Sequence, residues 1–200
     1  MVAIFFVTSV WAAYNMAADP KVYQYSNYKA RKRYPVTLQI KVIQDNRPEQ
    51  EKLRREEEHP YTYDGLWSEW VDEMLEKVLE KEFSLSGMAQ SVDRTNQQSN
   101  FVLLIELNSF HGRWDSGPQS FKPVYDIYGN TEFSARLISR RSDKVLFKKN
   151  YVGRTKAQVS QFRNKYAYGV LEAGKAFKEA AFRLMTDVEA ALPGVKVSEY

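Results

Sequence analysis

Leu38, Ile40 and Val42 alternate with Thr37, Gln39 and Lys41. A period of two predicts a strand over 36–44 with one buried face, disturbed near its end by Ile43. Pro48 ends any ladder there. Residues 49–59 form a charged run in which only Leu53 is apolar, read as a solvated loop or a short exposed helix. The period then changes. Trp67, Trp70, Val71, Met74, Leu75, Val78 and Leu79 recur at helical spacing, with Ser68 placed to cap the start and Gly87 lying just past the end. A short extended piece follows at 88–92 and a polar turn at 93–100. Residues 101–107, FVLLIEL, are almost continuously apolar, as in a strand central to a sheet. Gly112, Gly117 and Pro118 mark 108–121 as a loop or an irregular excursion. Strand character resumes over 124–139, where Phe133, Ala135 and Leu137 alternate with Glu132, Ser134 and Arg136. The turn Arg140-Arg141-Ser142-Asp143 and the return over 144–152 complete a long hairpin. A second helix carries Tyr166, Val170, Ala173, Phe177, Ala181, Leu184, Val188 and Leu192 on one stripe and stops at Pro193-Gly194.

This order predicts an α/β (α+β) fold. Two amphipathic helices cover one face of a mixed sheet of about four to five strands, with a long hairpin in the C-terminal half, giving a two-layer sandwich. The chain divides into an apolar N-terminal segment at 1–18, an extended Tyr-rich basic arm at 19–35, one domain at 36–192 and a tail at 193–200.

Composition narrows the chemistry. The chain has 200 residues, enough for a core without cross-links. It has no Cys, which excludes disulfides, thiolate nucleophiles and Cys-ligated metals. Twenty-nine basic against 25 acidic residues give +4, too mild a bias to argue for nucleic acid. Residues 1–18, MVAIFFVTSVWAAYNMAA, are an apolar run followed by small residues, which reads as a secretory signal peptide with its start upstream of Met1. An uncleaved anchor and a buried strand of the domain are the other readings. The arm carries Tyr23, Tyr25, Tyr28, Lys29, Arg31, Lys32, Arg33 and Tyr34, and suits a solvated linker or a strip lying on a partner or on anionic head groups.

Motifs for catalysis are absent: no nucleophile elbow, no phosphate loop, no paired-His zinc helix. His59 follows three Glu residues and lacks further ligands at metal spacing. His111 reads as a hydrogen-bonded turn residue. Arg136, Arg140, Arg141, Lys144, Lys148 and Lys149 make the hairpin basic, and this composition protects a solvent-facing strand from edge pairing. Asp45 and Arg47, at the end of the first strand, are the one pair that could suggest a hydrolase. They read better as a structural turn, in which the Asp45 carboxylate accepts from the amide two residues on and pairs with Arg47 or Arg54. Losing that turn bond should cost on the order of 1 kcal/mol. No cofactor and no metal is expected.

The strings PVTLQIKVIQDNRP, VLEKEFSLSGMAQSV, NFVLLIELNSFHGRW and NTEFSARLISRRSDKVLFKKNYVGRT, followed by a C-terminal helix, resemble the bacterial ABC-type transport auxiliary lipoproteins and related periplasmic envelope proteins over 35–192. The chain departs from them in having no Cys to acylate. The resemblance implies a non-enzymatic accessory subunit on the periplasmic side, docked on the protein subunits of an envelope machine; without the Cys, it is expected to be soluble in the periplasm, held by its partner, or held at the membrane surface by its N-terminal segment. Arg113, Trp114, Phe121, Tyr125 and Tyr128 are the expected contact residues, with Tyr23, Tyr25, Tyr28, Arg31 and Arg33 of the arm, since aromatic and Arg side chains dominate binding hot spots. The alternative is a lipid or small-ligand carrier with an apolar cleft lined by Trp67, Trp70, Phe101 and Phe133.

Overall fold

A computed structural model describes residues 23–48, 52, 71–114, 124–160 and 165–192. Among these residues the strands and helices follow in the order β1 (Tyr34–Asp45), α1 (Val71–Ser86), β2 (Ala89–Asp93), β3 (Phe101–Trp114), β4 (Val124–Ser139), β5 (Lys144–Ser160) and α2 (Lys165–Ala191). The sheet order is β2-β1-β3-β4-β5. β1 is parallel to both β2 and β3, and β3, β4 and β5 are antiparallel. This is the mixed two-layer sandwich expected from the pattern. The parallel pair β1 and β2 needs a crossover, which α1 supplies.

Both helices lie on one face. Leu38, Ile40, Phe101, Leu103, Ile105, Leu107, Phe133, Ala135 and Leu137 point toward them and are almost wholly buried. Met74, Leu75, Val78, Leu79 and Phe83 answer from α1, and Ala173, Ala176, Phe177, Ala180, Ala181, Leu184 and Val188 from α2. Gly87, at φ +71°, ends α1 in the left-handed conformation that a residue without Cβ adopts freely. Asp143, at φ 50°, takes the same conformation in the β4–β5 turn, which a short polar side chain tolerates.

The strands run further than the pattern suggested. β3 continues through 108–114, assigned above to a loop, and β5 continues to Ser160. The reason lies across the sheet. Gly112, Gly129 and Gly153 stand on β3, β4 and β5 where α2 crosses them. A Cβ on each would meet a helix carbonyl oxygen, of Gly169 at 1.9 Å, Glu172 at 2.0 Å and Ala176 at 1.7 Å. Three missing side chains thus form a groove that seats the helix backbone directly on the sheet. Hydroxyls finish the seat: Thr155 Oγ1 donates to the Glu172 carbonyl at 2.9 Å and Thr131 Oγ1 to that of Ala173 at 3.3 Å. In sequence Gly112 looks like a turn former. Here the three glycines shape an interface.

The arm is corrected as well. Tyr23 and Tyr28 are buried against the chain's own helices, 1% and 9% exposed. Glu82 on α1 accepts from Tyr23 Oη at 2.7 Å, from the Ser26 amide at 2.7 Å and from Ser26 Oγ at 2.6 Å. Glu189 on α2 accepts from Tyr28 Oη and, at 2.6 Å, from the Arg31 amide. The Ala30 amide bonds the Ser86 carbonyl and the Tyr34 amide that of Met88. Burying a carboxylate is costly unless its oxygens are met by donors. Glu82 and Glu189 occupy the apolar stripes of their helices because the arm supplies those donors.

Candidate docking surface

The face of the sheet opposite the helices is built by the other half of each alternation. Register partners share a face, so it can be followed row by row. Lys41, Leu104, Arg136 and Lys148 are paired across β1, β3, β4 and β5; beyond them come Glu106 with Ser134 and Asn150, Ser109 with Glu132 and Val152, His111 with Asn130 and Arg154, and Arg113 with Tyr128 and Lys156. Among the described residues no helix covers these rows. The connection 94–100 crosses β1 lower down, where Gln39 Nε2 donates to the Arg94 carbonyl at 2.9 Å and Thr37 and Asn100 exchange bonds at 2.8 Å.

At the end of this face the structure brings together two of the residues singled out above. Arg113 lies over the Tyr128 ring from β3, 5.8 Å from its centroid, and Lys156 from β5 at 5.2 Å. Lys156 Nζ also pairs with Asp126 Oδ2 at 2.9 Å, and Gln158 Nε2 donates to Asp126 Oδ1 at 3.1 Å. The Lys156 hydrogen bond, followed by that of Gln158, holds the Asp126 carboxyl below the usual carboxylate range. The same Asp126 contact, with help from the Tyr128 hydroxyl, pushes Lys156 up. Lys156 is therefore answered within the patch. Arg113 and Arg154 are exposed and enter no ion pair among the described residues. The result is an aromatic ring held open between two cations, a composition suited to contact with a partner.

Lys156 and Gln158 were missed in sequence because β5 was expected to end at 152, and Asp126 because its partners lie on that extension. The alternation of Arg154, Lys156 and Gln158 was the available signal. The backbones of Trp114 and Tyr125 belong to β3 and β4 at the same end of the sheet, but in register with the buried Ile127 and Val159, not in the Arg113–Tyr128–Lys156 row. Phe121 lies outside the described residues, as do Trp67, Trp70, His59 and Arg54. Tyr23 and Tyr28 face the core on the opposite side from this patch. Tyr25 packs edge-on against Tyr23 at 5.0 Å, Arg31 engages Glu189 through its backbone, and Arg33 Nη2 donates to the Gln90 carbonyl at 3.0 Å.

Two further constellations fall on or near this face. Ser109 Oγ lies 3.1 Å from His111 Nδ1 and accepts from Asn130 Nδ2 at 2.8 Å. His111 is thus a strand residue and not a turn residue. At the end of β1, Asp45 accepts from the Arg47 amide at 3.1 Å, from Arg47 Nε at 2.9 Å and from Nη2 at 2.7 Å, and Lys52 Nζ reaches the Asp45 carbonyl at 3.1 Å. Burial by itself would raise the Asp45 carboxyl, but the Arg47 hydrogen bonds and charge outweigh it and the net direction is down. The pair is the structural turn expected, and a stronger one, because the Arg47 guanidinium is itself buried.

Among the described residues no three His, Asp or Glu side chains gather to hold a metal, and no helix is long and apolar enough to cross a membrane. No family model matches the chain, and no curated protein does. A solved structure shares its fold, and others resemble it more loosely. Protein XCC0632 from Xanthomonas campestris, of family DUF330, superposes with a TM-score of 0.56 at 15% identity, covering 86% of this chain and 95% of its own. A putative lipoprotein from Caulobacter crescentus is more distant, with TM-score 0.38 and 13% identity over 60% of this chain and 85% of its own. Lipoprotein GNA1162 from Neisseria meningitidis has TM-score 0.39 and 10% identity over 80% of this chain and all of its own.

Proposed function

We propose that this protein is a non-enzymatic accessory subunit of the bacterial envelope, periplasmic and membrane-associated, which works by docking on the protein subunits of a larger assembly. The observation that carries this reading is the uncovered sheet face ending in the Arg113–Tyr128–Lys156 stack. A sheet that packs helices on one side usually leaves a polar face to water. This one adds an aromatic ring held between cations. The envelope location is supported by the apolar 1–18 segment and by the resemblance of 35–192 to transport auxiliary lipoproteins.

The carrier alternative has lost two of its four lining residues. Phe101 and Phe133 are fully buried in the core, Phe133 lying 5.8 Å from the Phe177 ring and 5.4 Å from that of Tyr151.

The test is affinity purification of the tagged full-length protein from native membranes, alongside the double variant Arg113→Ala/Tyr128→Ala. The wild type should recover a reproducible set of envelope subunits in fixed ratio, and the variant should lose them while keeping its thermal melt. Recovery of the same set by both proteins, or of the protein alone by the wild type, would refute the docking role of this face.

A further inference from the structure

The two edges of the sheet are treated differently. β2 is five residues long, and one of its carbonyls, that of Gln90, is taken by Arg33. β5 runs for 17 residues with no proline, and among the described residues it is paired on one side only, with β4 from Lys144 to Ser160. Long unpaired edges template further pairing unless they are blunted. One outward group on β5 is covered: the Arg183 guanidinium of α2 donates to the Val152 carbonyl. That bond also fixes the direction of the strand's polar groups. In an antiparallel pair, alternate residues turn both backbone groups away from the partner. With Val152 turned outward and the register unbroken beyond it, Arg154, Lys156 and Gln158 are turned outward too.

Charge selects what can pair there. β5 carries Lys144, Lys148, Lys149, Arg154 and Lys156 and no Asp or Glu. Lys149 is used by Asp187 at 2.7 Å and Lys156 by Asp126. Lys148 and Arg154 are exposed and enter no ion pair among the described residues. A second copy of β5 would set like charges opposite one another, which is destabilising, whereas opposite charges on facing strands attract. On the other side of the ribbon Thr155 and Ala157 are half-buried and Val159 is buried, so an added strand would meet an apolar margin beside α2.

We propose that the free edge of β5 takes up an extended acidic segment of a partner protein as an additional strand. Its acidic residues would face Lys148 and Arg154, and its β-branched residues the α2 side. Backbone pairing supplies the affinity and the alternating side chains the specificity. The flexible Arg183 side chain is displaced as the strand docks. The proposal rests on the docking reading above and names the partner's chemistry.

The probe is a labelled synthetic peptide of alternating Glu and Val, about ten residues long to span roughly 33 Å of strand, titrated against the full-length protein by fluorescence anisotropy. The peptide should bind. The same peptide N-methylated at alternate amides, with its charge intact, should bind at least tenfold more weakly, and so should the parent peptide to Lys148→Glu/Arg154→Glu. Arg113→Ala/Tyr128→Ala should leave peptide binding unchanged, which separates this test from that of the open face. Equal binding of the N-methylated peptide would reduce the effect to ionic adhesion and overturn the proposal. So would absence of peptide binding, undiminished binding by the Lys148→Glu/Arg154→Glu variant, or binding only to vesicles containing phosphatidylglycerol.

Discussion

The groove of glycines under α2 can be tested from both of its walls. On the sheet side, an alanine at Gly112 would place its Cβ 1.9 Å from the Gly169 carbonyl oxygen, where ordinary contact begins at 3.4 Å. Backbone cannot rotate away as a side chain can, so the helix must lift by ~1.5 Å, and gaps of that size forfeit much of the dispersion attraction of the atoms lining them. The atoms concerned belong to Ala173, Ala176, Phe177, Ala180 and Ala181, all almost fully buried. The expected cost is about 3 kcal/mol, the upper part of the range for overpacking, or a fall in Tm of roughly 10 °C for a domain of this size. On the helix side, a Cβ at Gly169 would lie 3.5 Å from the Gly112 backbone, an ordinary contact. Gly169→Ala should therefore stabilise by up to ~1 kcal/mol through helix propensity. Chemical denaturation of the two variants, compared at equal m-value, measures both. Wild-type stability in Gly112→Ala, or equal losses in the two variants, would refute the close approach of helix and sheet.

Other consequences follow from the buried carboxylates and phenols. Glu82→Ala leaves Tyr23 Oη and the Ser26 amide and hydroxyl without their acceptor, and should cost about 3 kcal/mol while exposing the arm to trypsin at Lys29, Arg31 and Arg33; an arm as resistant as in the wild type would count against its anchoring by Glu82. Tyr28 is pushed up to about 12 from 10.0, by burial first and then by the Glu189 hydrogen bond. Its folded value exceeds its unfolded one, so its contribution is fully present below pH 10 and is lost as pH rises toward 12; denaturation midpoints should fall across that window, and less so in Tyr28→Phe. Asp45 is shifted the other way, so its contribution is present above the ordinary carboxylate range and is lost as pH falls through the lowered folded value. Asp45→Ala should cost about 3 kcal/mol rather than the 1 kcal/mol of a single turn bond, because it strands the buried Arg47 guanidinium. A loss under 1 kcal/mol in urea denaturation would show that Arg47 finds another acceptor.

The amphipathic periods of 36–44, of 71–79 and of the C-terminal helix were legible because each depends only on which face of a local element is apolar. The same holds for the Gly87 stop and the Asp45 turn, whose partners lie within a few residues. From these came the class of fold, the hairpin and the two helices on one face. The groove could not be read in this way. Gly112, Gly129 and Gly153 are far apart in sequence, and a glycine required by a helix overhead carries the same letter as one required by a turn. Nor could the arm: Tyr23 and Tyr28 look like surface tyrosines until Glu82 and Glu189, more than fifty residues away, are brought beneath them. The patch at Arg113 and Tyr128 was half visible, as residue types known to favour contact. Which residues join them was decided by strand register, since only pairing of β3, β4 and β5 sets Arg113, Tyr128 and Lys156 in one row. Local pattern determined what each segment is; long-range pairing, which no window of sequence contains, decided which face was left open and what stands on it.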